Sequence, residues 1–445
     1  MTRLRAAFLP FTIRNAARLP FYAQFWEGID LGAITSLKEL YRLPTLSKEH
    51  YRRFLMFDES AVSDTEYITH TTGTTGDLTW RHRSVAEASI ISQLFGRGAG
   101  PLDGQLMLAI RDNRHGMAMP VPSQMRVIPI GLTDDSELKQ CIQMLTVTYR
   151  FAAGVLRPTM IAGGSHDVAM LAQAWAEART SRDAIAIRTL HLLGFVDTGL
   201  YWFLHSIFNG AEVIEKYSLA EIFGGATRRW PSKSFILDPY VVGEVVDEHG
   251  TPVPPGGVGE LVLTELFPFV QMQPLIRYRT GDIVCLVEDG DENLQFEWWG
   301  RRENCVLVNV NGVSSWLLGY SPIANWLSLQ PLVARQAHKP RLASVTSVDI
   351  GLPCVTLNIG PSSSVVRIDV GLRINPWWAR EVVQNLTQEM WAALRSMILI
   401  PPENVLIRIG FRHVPHPIND FGSMPDIHDF QLPPGMLSGP VPVLS

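Results

Sequence analysis

Several features that this 445-residue sequence lacks exclude whole classes of protein. Acidic residues outnumber basic ones, and the net charge of −5 gives no electrostatic case for nucleic acid as the main partner. No apolar run reaches the roughly 18 residues that a membrane-spanning helix needs. The four cysteines lie far apart with no CxxC pair, so neither a zinc site nor a disulfide framework is indicated. They are Cys141, Cys285, Cys305 and Cys354.

The N-terminal segment lacks the uninterrupted apolar core of a signal peptide. Arginines interrupt it at Arg3, Arg5, Arg14 and Arg18. The scattered cysteines suit a reducing compartment. These features together predict a soluble, cytoplasmic protein that binds neither membranes nor nucleic acid.

Lysine is also scarce in this sequence. Only six of the 38 basic residues are lysines, and the last of them is Lys339, so residues 340–445 contain none. The remaining basic residues are arginines, whose planar guanidinium differs from the compact ammonium of lysine. Any reaction step that needs an ammonium group therefore has few residues to supply it.

What the sequence does contain is enough apolar material for a sizeable core. Hydrophobic residues make up 46% and charged residues 18% of the chain, and the length predicts two or three domains. Apolar runs at 106–110 and 127–130 alternate with helical patterns at 136–151 and 167–178. This alternation predicts a layered α/β domain.

The pattern changes at about residue 234, where turn signals begin to separate short β-like runs. These runs cover 235–237, 241–246, 259–264 and 283–287. They predict a mainly antiparallel, β-rich subdomain. The last part of the chain has its own strands and one clear helix at 376–397. We therefore expect an N-terminal domain over 1–302 and a small α+β domain over 303–445.

The stretch THTTGTTGDLTW at 69–80 combines hydroxyl side chains with glycine, directly after a strand-like run. Glycine lets backbone N–H groups approach a ligand closely and threonine adds short donors, so the loop suits a polyphosphate. A polar surface turn is the other interpretation that this stretch allows. The candidate phosphate-binding residues are Thr71, Thr72, Gly73, Thr74, Thr75 and Gly76. Just beyond them, Ser84 and Glu87 have the spacing of a capping box at the start of a helix.

Three further motifs follow the Thr/Gly loop in order. They read EKYSLAE at 215–221, RYRTGD at 277–282 and WGRREN at 299–304. In this order the four segments resemble the adenylate-forming superfamily of acyl-CoA synthetases, adenylation domains and luciferases. The early LPTLSK at 43–48 looks most like its phenylacetate–CoA ligase branch. The resemblance implies a large α/β N-terminal domain with a β-rich subdomain, and a small mobile C-terminal domain.

The resemblance also implies a reaction and its cofactors. In such enzymes a carboxylate attacks the α-phosphate of ATP, which gives an acyl-adenylate and pyrophosphate, and a thiol or amine then displaces AMP. ATP and Mg²⁺ are expected, with CoA or a carrier protein as acceptor and a small acid or amine as substrate. A homodimer is compatible with this class. Donors and a divalent cation are needed because charge builds up on the phosphate oxygens.

The resemblance implies that residues of these motifs bind the nucleotide. Tyr217 would stack on adenine, and Asp282 would accept hydrogen bonds from both ribose hydroxyls because a carboxylate has two acceptor oxygens. Arg301 would reach the ribose or phosphate as a forked cation. Glu221 would hold Mg²⁺, a hard cation that prefers carboxylate oxygens. Thr72, Glu221 and Arg301 are the residues expected to act in catalysis.

The other roles that the resemblance implies concern the edge of the adenine and the acyl pocket. Gly194 matches the adenine-edge segment, and Ser218 lies beside the tyrosine of its motif. The family lines its acyl pocket near residues 112–120, so His115, Gly116 and Met117 are the substrate candidates. A loop with core methionines is the alternative structural explanation for that segment.

Three departures from the family pattern affect the nucleotide side. Residues 76–79 read GDLT where the family usually has proline and then lysine or threonine, so a phosphate-facing cation is missing. Asp77 would repel phosphate unless it points away or assists Mg²⁺. Ser218 replaces the glycine that usually follows the tyrosine. Ala220 replaces the usual hydroxyl residue before the glutamate, which removes one donor.

The largest departure is the missing C-terminal lysine. In these enzymes it bridges the substrate carboxylate, ribose and phosphate during adenylation. Ser423 lies about where that lysine is expected, and a serine cannot stabilise developing negative charge as an ammonium does. Arg408 or Arg412 is the expected substitute, although a planar guanidinium is not a compact ammonium.

Three functional interpretations remain open at this point. The protein activates a small, aromatic carboxylic acid as acyl-AMP, with arginine compensating for the lysine or with a slower first step. Alternatively, it uses ATP on another nucleophile, in diazotisation, amide formation or nucleotidyl transfer within specialised metabolism. Or it is a homologue that binds nucleotide without turnover.

Overall fold

We describe the protein from a computed structural model. The described residues are 3–53, 65–70, 80–90, 105–110, 126–151, 154–178, 184–290, 294–310, 313–336, 342, 345, 350–359, 365–398, 405–414 and 428–430. The chain divides into two compact units. The first comprises residues 1–302 and 341–346, and the second residues 303–340 and 347–445.

Six helices of the first unit lie entirely within its described residues. They are α1 (Arg3–Ala16), α2 (Pro20–Phe25), α3 (Lys48–Arg53), α4 (Asp135–Thr146), α5 (Ser165–Glu177) and α6 (Thr198–Ile207). Short 3₁₀ turns cover Leu31–Ala33 and Leu37–Arg42. Residues 85–90 are also helical, and the capping box that starts them is confirmed. Ser84 N donates to Glu87 Oε2 over 2.8 Å, and Glu87 N donates to Ser84 Oγ over 3.2 Å.

Fifteen strands belong to the described part of the first unit. In the first half of the unit they are β1 (Thr65–His70), β2 (Trp80–Ser84), β3 (Leu106–Ile110), β4 (Arg126–Ile130), β5 (Tyr149–Phe151), β6 (Gly154–Leu156), β7 (Met160–Gly164) and β8 (Thr189–Leu193). In the second half they are β9 (Glu212–Ser218), β10 (Gly225–Arg229), β11 (Phe235–Leu237), β12 (Val241–Val246), β13 (Val258–Glu265), β14 (Tyr278–Asp289) and β15 (Leu294–Arg301).

Eleven of these strands form one mixed sheet, in the order β12-β13-β14-β15-β11-β10-β9-β8-β7-β3-β4. The strands from β9 to β4 run parallel, and those from β12 to β10 are antiparallel. The mixed sheet confirms the predicted α/β class. The β-rich part, however, is continuous with the parallel part, because β10 pairs directly with β9.

Two helices differ from their predicted bounds, one where it ends and the other where it begins. Helix α4 stops at Thr146, five residues early, because the chain turns into the β5–β6 hairpin. The C-terminal helix α8 (Arg380–Met397) begins four residues later than predicted. There the side chain of Asn375 accepts a hydrogen bond from Trp377 N over 2.9 Å, and this local turn competes with the helix.

The second unit has a sheet of four strands and two helices among its described residues. Its helices are α7 (Tyr320–Leu327) and α8. Its strands are β16 (Val306–Val310), β17 (Val313–Leu318), β18 (Arg335–Gln336), β19 (Leu352–Pro353), β20 (Val355–Ile359), β21 (Val365–Leu372), β22 (Leu406–His413) and β23 (His428–Phe430). The sheet order is β20-β21-β22-β23, with β21 and β22 parallel.

Helix α8 is the crossover between the parallel strands β21 and β22. Its buried residues Val383, Leu386, Met390, Trp391 and Leu394 recur at helical spacing and belong to the core of the second unit. None of the helices in the described ranges is long and apolar enough to cross a membrane.

Candidate functional site

The carboxyl ends of three parallel strands meet at one edge of the large sheet. Gly164 of β7 lies beside Leu193 of β8, and Leu193 lies beside Lys216 of β9. Gly194 and Tyr217 therefore emerge at the same edge, although they are distant in sequence. In α/β folds, ligands bind in the crevice outside the carboxyl ends of the parallel strands.

A buried carboxylate is the centre of this region. Asp282, on β14, is only 2% exposed. Its Oδ2 accepts a hydrogen bond from the Tyr217 hydroxyl over 2.7 Å, and its Oδ1 accepts one from Trp298 Nε1 over 3.0 Å. Arg301 Nη1 lies 3.3 Å from Oδ2. The structure thus brings together Tyr217, Asp282 and Arg301, which the motifs place in three separate segments.

Neighbouring strands explain why these side chains converge. Asp282 of β14 stands opposite Arg301 of β15 in the strand register. Arg301 Nη1 also donates to the carbonyl of Thr280 over 3.0 Å, which fixes the guanidinium beside the carboxylate. The Arg301 side chain is nevertheless 45% exposed, so it is the most accessible of the three partners of Asp282.

Tyr217 is held closely by the strand beside it. A Cβ added to Gly225 of β10 would lie 2.0 Å from the carbonyl oxygen of Tyr217, so only glycine allows this approach. The tyrosine ring packs edge-on against Phe235 and Phe296. Burial raises the pKa of the Tyr217 phenol well above its ordinary value of 10, and the Asp282 carboxylate adds to the shift.

The Tyr217 phenol should make the free energy of unfolding depend on pH in the alkaline range. Its raised pKa keeps it protonated in the folded protein while it ionises in the unfolded chain, so its contribution is complete below pH 10 and is lost as the pH rises. We expect Tyr217→Phe to reduce that loss by up to about 1.4 kcal/mol per pH unit. Urea unfolding at several pH values measures the effect, with the exposed Tyr41→Phe as control. An unchanged pH dependence in Tyr217→Phe would contradict it.

A second pair of charged residues involves the loop between β9 and β10. Glu221 lies in this loop, and its side chain is 10% exposed. Lys48 Nζ, at the start of α3, lies 3.7 Å from Glu221 Oε1. Among the described residues, Lys48 is the only cation within ion-pair distance of this carboxylate.

Glu221 can be tested as a ligand of the Mg²⁺ that the resemblance implies. Proteins usually bind Mg²⁺ through one or two carboxylates together with substrate phosphates. The described residues contain no group of three or more His, Cys, Asp or Glu side chains that would hold a metal by themselves. A single carboxylate of this kind fits an ion that it shares with phosphate oxygens.

The hairpin of β1 and β2 flanks the Thr/Gly loop and is tied to the large sheet through Arg81. The guanidinium of Arg81 pairs with both oxygens of Glu265 on β13, with Nη1 2.8 Å from Oε1. Glu265 also accepts hydrogen bonds from the backbone N–H groups of Phe223 and Leu275. Both side chains are buried. A buried ion pair thus anchors the hairpin whose ends, His70 and Trp80, bracket the loop.

Several predicted site residues lie outside the described residues. They are Thr71, Thr72, Gly73, Thr74, Thr75, Gly76, His115, Gly116, Met117 and Ser423. Their predicted roles stay predictions. The segment that contains His115 follows β3, which is parallel to β7 and ends at the same edge of the sheet.

The two arginines proposed to replace the C-terminal lysine lie on β22 in the second unit. Arg408 and Arg412 are four residues apart, so they share the face of the strand opposite the apolar Ile409 and Phe411, which are buried in the core. The Nε atom of Arg408 is buried and has no hydrogen-bond partner among the described residues.

Three contributors to the site have no assignment from the sequence. Trp298 holds Oδ1 of Asp282, and its position directly before the WGRREN motif is the signal that could have identified it. Lys48 is the second, because the LPTLSK motif that contains it indicates a branch of the family and gives the lysine no role. The Glu215–Arg228 pair is the third: Glu215 accepts from Val196 N, and Arg228 Nη2 donates to Val196 O over 3.0 Å. This pair fixes the backbone just beyond Gly194.

Comparison with known proteins supports the fold. No protein-family model matches the sequence, and no curated protein matches it. The structure is similar to an open conformation of 2-hydroxyisobutyryl-CoA ligase in complex with 2-HIB-AMP and CoA, with a TM-score of 0.67 and 16% identity over 95% of this chain and 89% of the ligase. The same ligase in its postadenylation state gives a TM-score of 0.64 and 17% identity over 93% and 86%.

A second enzyme gives a weaker match. ATP-bound MatB from Rhodopseudomonas palustris has a TM-score of 0.50 and 15% identity over 77% of this chain and 64% of MatB. At such identities the similarity establishes a shared fold. The chain therefore has the mixed α/β fold found in acyl-CoA ligases.

Proposed function

We propose that this chain is an ATP-dependent ligase that activates a small carboxylic acid as an acyl-adenylate and transfers it to CoA or another acceptor. The observation that carries the proposal is the buried Asp282, with Tyr217 and Arg301 as its hydrogen-bond partners. These three residues lie on separate motifs, and the fold that unites them is shared with acyl-CoA ligases.

Asp282 would bind the ribose of ATP. A carboxylate has about four lone-pair positions, and three side chains already donate to this one. Arg301 makes the longest of these contacts and is the most exposed partner. We infer that a ribose hydroxyl displaces Arg301 from Asp282, which directs the guanidinium towards the phosphates.

The remaining residues position the other parts of the substrate. The ring of Tyr217 would contact adenine, and the backbone at Gly194 would border its edge. Glu221 would hold Mg²⁺, which neutralises phosphate charge when bound. The acid would bind near residues 112–120. Residues 303–445 would act as a lid domain, and a carrier protein is an alternative acceptor to CoA.

The direct test is pyrophosphate release. We expect the protein, mixed with ATP and Mg²⁺, to release pyrophosphate only when a suitable acid from a panel of aryl and short-chain acids is added. Addition of CoA should then yield AMP and a thioester with the same acid. Omission of the acid is the control. No release with any member of the panel would contradict the proposal.

One feature of the sequence favours a second candidate function. The absence of lysine from residues 340–445 removes the ammonium that usually assists acid activation. The protein would then use ATP on an amine, a phenol or nitrite. Pyrophosphate release with one of these compounds, and with no acid, distinguishes this function. ATP binding without any release would indicate a non-catalytic homologue.

A further inference from the structure

Lys48 is one of only six lysines in the chain, and it lies beside the carboxylate expected to bind Mg²⁺. Its Nζ is 3.7 Å from Glu221 Oε1, and 44% of its side chain is exposed. Glu221 itself is largely buried. The exposed ammonium is therefore the accessible member of this pair, and a ligand that approaches Glu221 would meet it.

The backbone that carries Lys48 is fixed to the strand of Asp282. Leu46 forms a parallel bridge with Tyr278 of β14. Leu46 N donates to Arg277 O, and Arg279 N donates to Leu46 O, each over 2.8 Å. Lys48 thus follows a segment that is attached to β14 four residues before Asp282.

A second connection links α3 to the end of the Thr/Gly loop. The hydroxyl of Tyr51 donates to the carbonyl of Trp80 over 2.6 Å, and Trp80 is the first residue of β2. Lys48 is one helical turn before Tyr51. Helix α3 therefore contacts both Glu221 and the residue that ends the predicted phosphate-binding loop.

We propose that Lys48 binds the β- and γ-phosphates of ATP and neutralises the pyrophosphate as it leaves. This inference rests on the proposed function. Lys48 supplies the phosphate-facing cation that the Thr/Gly loop lacks. Glu221 holds the ammonium in place by its charge, and the bridge of Leu46 to β14 fixes the distance to the nucleotide. No other described lysine lies within ion-pair distance of Glu221.

The step needs no additional reactant. A carboxylate oxygen of the acid forms a bond to the α-phosphorus, and the bond from that phosphorus to the oxygen bridging to the β-phosphate breaks. The bond's electron pair leaves with pyrophosphate, so negative charge grows on the β-phosphate. An ammonium placed there stabilises that charge, and no proton has to be transferred.

The test compares Lys48→Ala and Lys48→Arg with Lys38→Ala. Lys38 is an exposed lysine in the same N-terminal segment and is the matched control. Calorimetry with ATP–Mg²⁺ and with AMP measures binding, and single-turnover pyrophosphate release measures the reaction. We expect Lys48→Ala to weaken ATP binding by about tenfold or more, because a charge-assisted contact is lost, and to leave AMP binding unchanged. Lys48→Arg should restore most of the ATP affinity, and Lys38→Ala should match the wild type.

The rate gives the second readout. Where the wild type releases pyrophosphate, Lys48→Ala should slow that step by about 100-fold, as the removal of one preorganised donor does. Wild-type affinity for ATP in Lys48→Ala overturns the proposal, and so does an equal loss of ATP and AMP affinity. If the wild type binds ATP but activates no acid, the proposed function fails, while selective loss of ATP affinity in Lys48→Ala still supports phosphate binding by Lys48. A wild type that binds no ATP overturns both.

Discussion

Replacing Glu265 by glutamine should lower the free energy of unfolding by about 3–5 kcal/mol, because it leaves the charge of Arg81 buried without its counter-ion. Glu265 is fully buried and pairs with Arg81, which is 184 positions away in sequence. The substitution keeps the size of the side chain, so the change reports on charge and not on a cavity. Urea unfolding followed by fluorescence measures it.

An exposed pair supplies the control for this experiment. Arg229 and Glu212 form an ion pair whose side chains are 66% and 45% exposed. Glu212→Gln should cost about 0–1 kcal/mol, since solvent screens such pairs. We also expect Arg81→Met combined with Glu265→Gln to cost less than the two single changes together. Equal costs for the buried and exposed pairs would show that Arg81 and Glu265 do not anchor the hairpin.

Replacing Asp282 by alanine should weaken ATP and AMP binding by about 1–3 kcal/mol, the cost of leaving charged hydrogen bonds unmade. The ribose hydroxyls would lose their acceptor, and the Tyr217 hydroxyl and Trp298 Nε1 would lose theirs. ATP and AMP should be affected alike, since both carry the ribose. Calorimetric titration with each nucleotide measures the loss.

Two further variants make this result specific. Asp289→Ala removes an exposed carboxylate at the far end of the same strand, and should leave nucleotide affinity unchanged. Asp282→Asn keeps the shape of the side chain, so it serves where the alanine variant is too unstable to titrate. Wild-type affinity in a folded Asp282→Asn or Asp282→Ala protein would refute the placement of the ribose on Asp282.

The Asp282 and Lys48 variants separate two parts of one ligand. A ribose contact affects ATP and AMP equally, whereas a contact to the β- and γ-phosphates affects ATP alone. The Glu265 variant acts mainly on stability, because its fully buried side chain pairs with Arg81 and anchors the hairpin whose ends bracket the Thr/Gly loop. The three positions together therefore distinguish anchoring of the hairpin, ribose recognition and phosphate recognition.

Much of the secondary structure could be predicted from local pattern. The runs at 106–110, 235–237 and 241–246 coincide with β3, β11 and β12. The capping box at Ser84 was also predicted, because its two hydrogen bonds join residues only three apart. The errors occur at the ends of α4 and α8, where a hairpin and an asparagine turn compete with the helix. Pattern alone does not weigh such competing local hydrogen bonds.

The sequence by itself determined the mixed α/β class, the order of the motifs and the identity of Tyr217, Asp282 and Arg301 as candidates. Periodicity carries the fold class because it concerns neighbours along the chain, whereas the three candidates come from the resemblance of their motifs to a known family. Only the tertiary structure decided that Trp298 and Arg301 share Asp282, that Arg81 pairs with Glu265, and that Lys48 faces Glu221. Strand pairing sets the contacts of Asp282, and the packing of distant segments sets the other two pairs, so nothing in the local sequence of either partner encodes which distant residue will lie opposite.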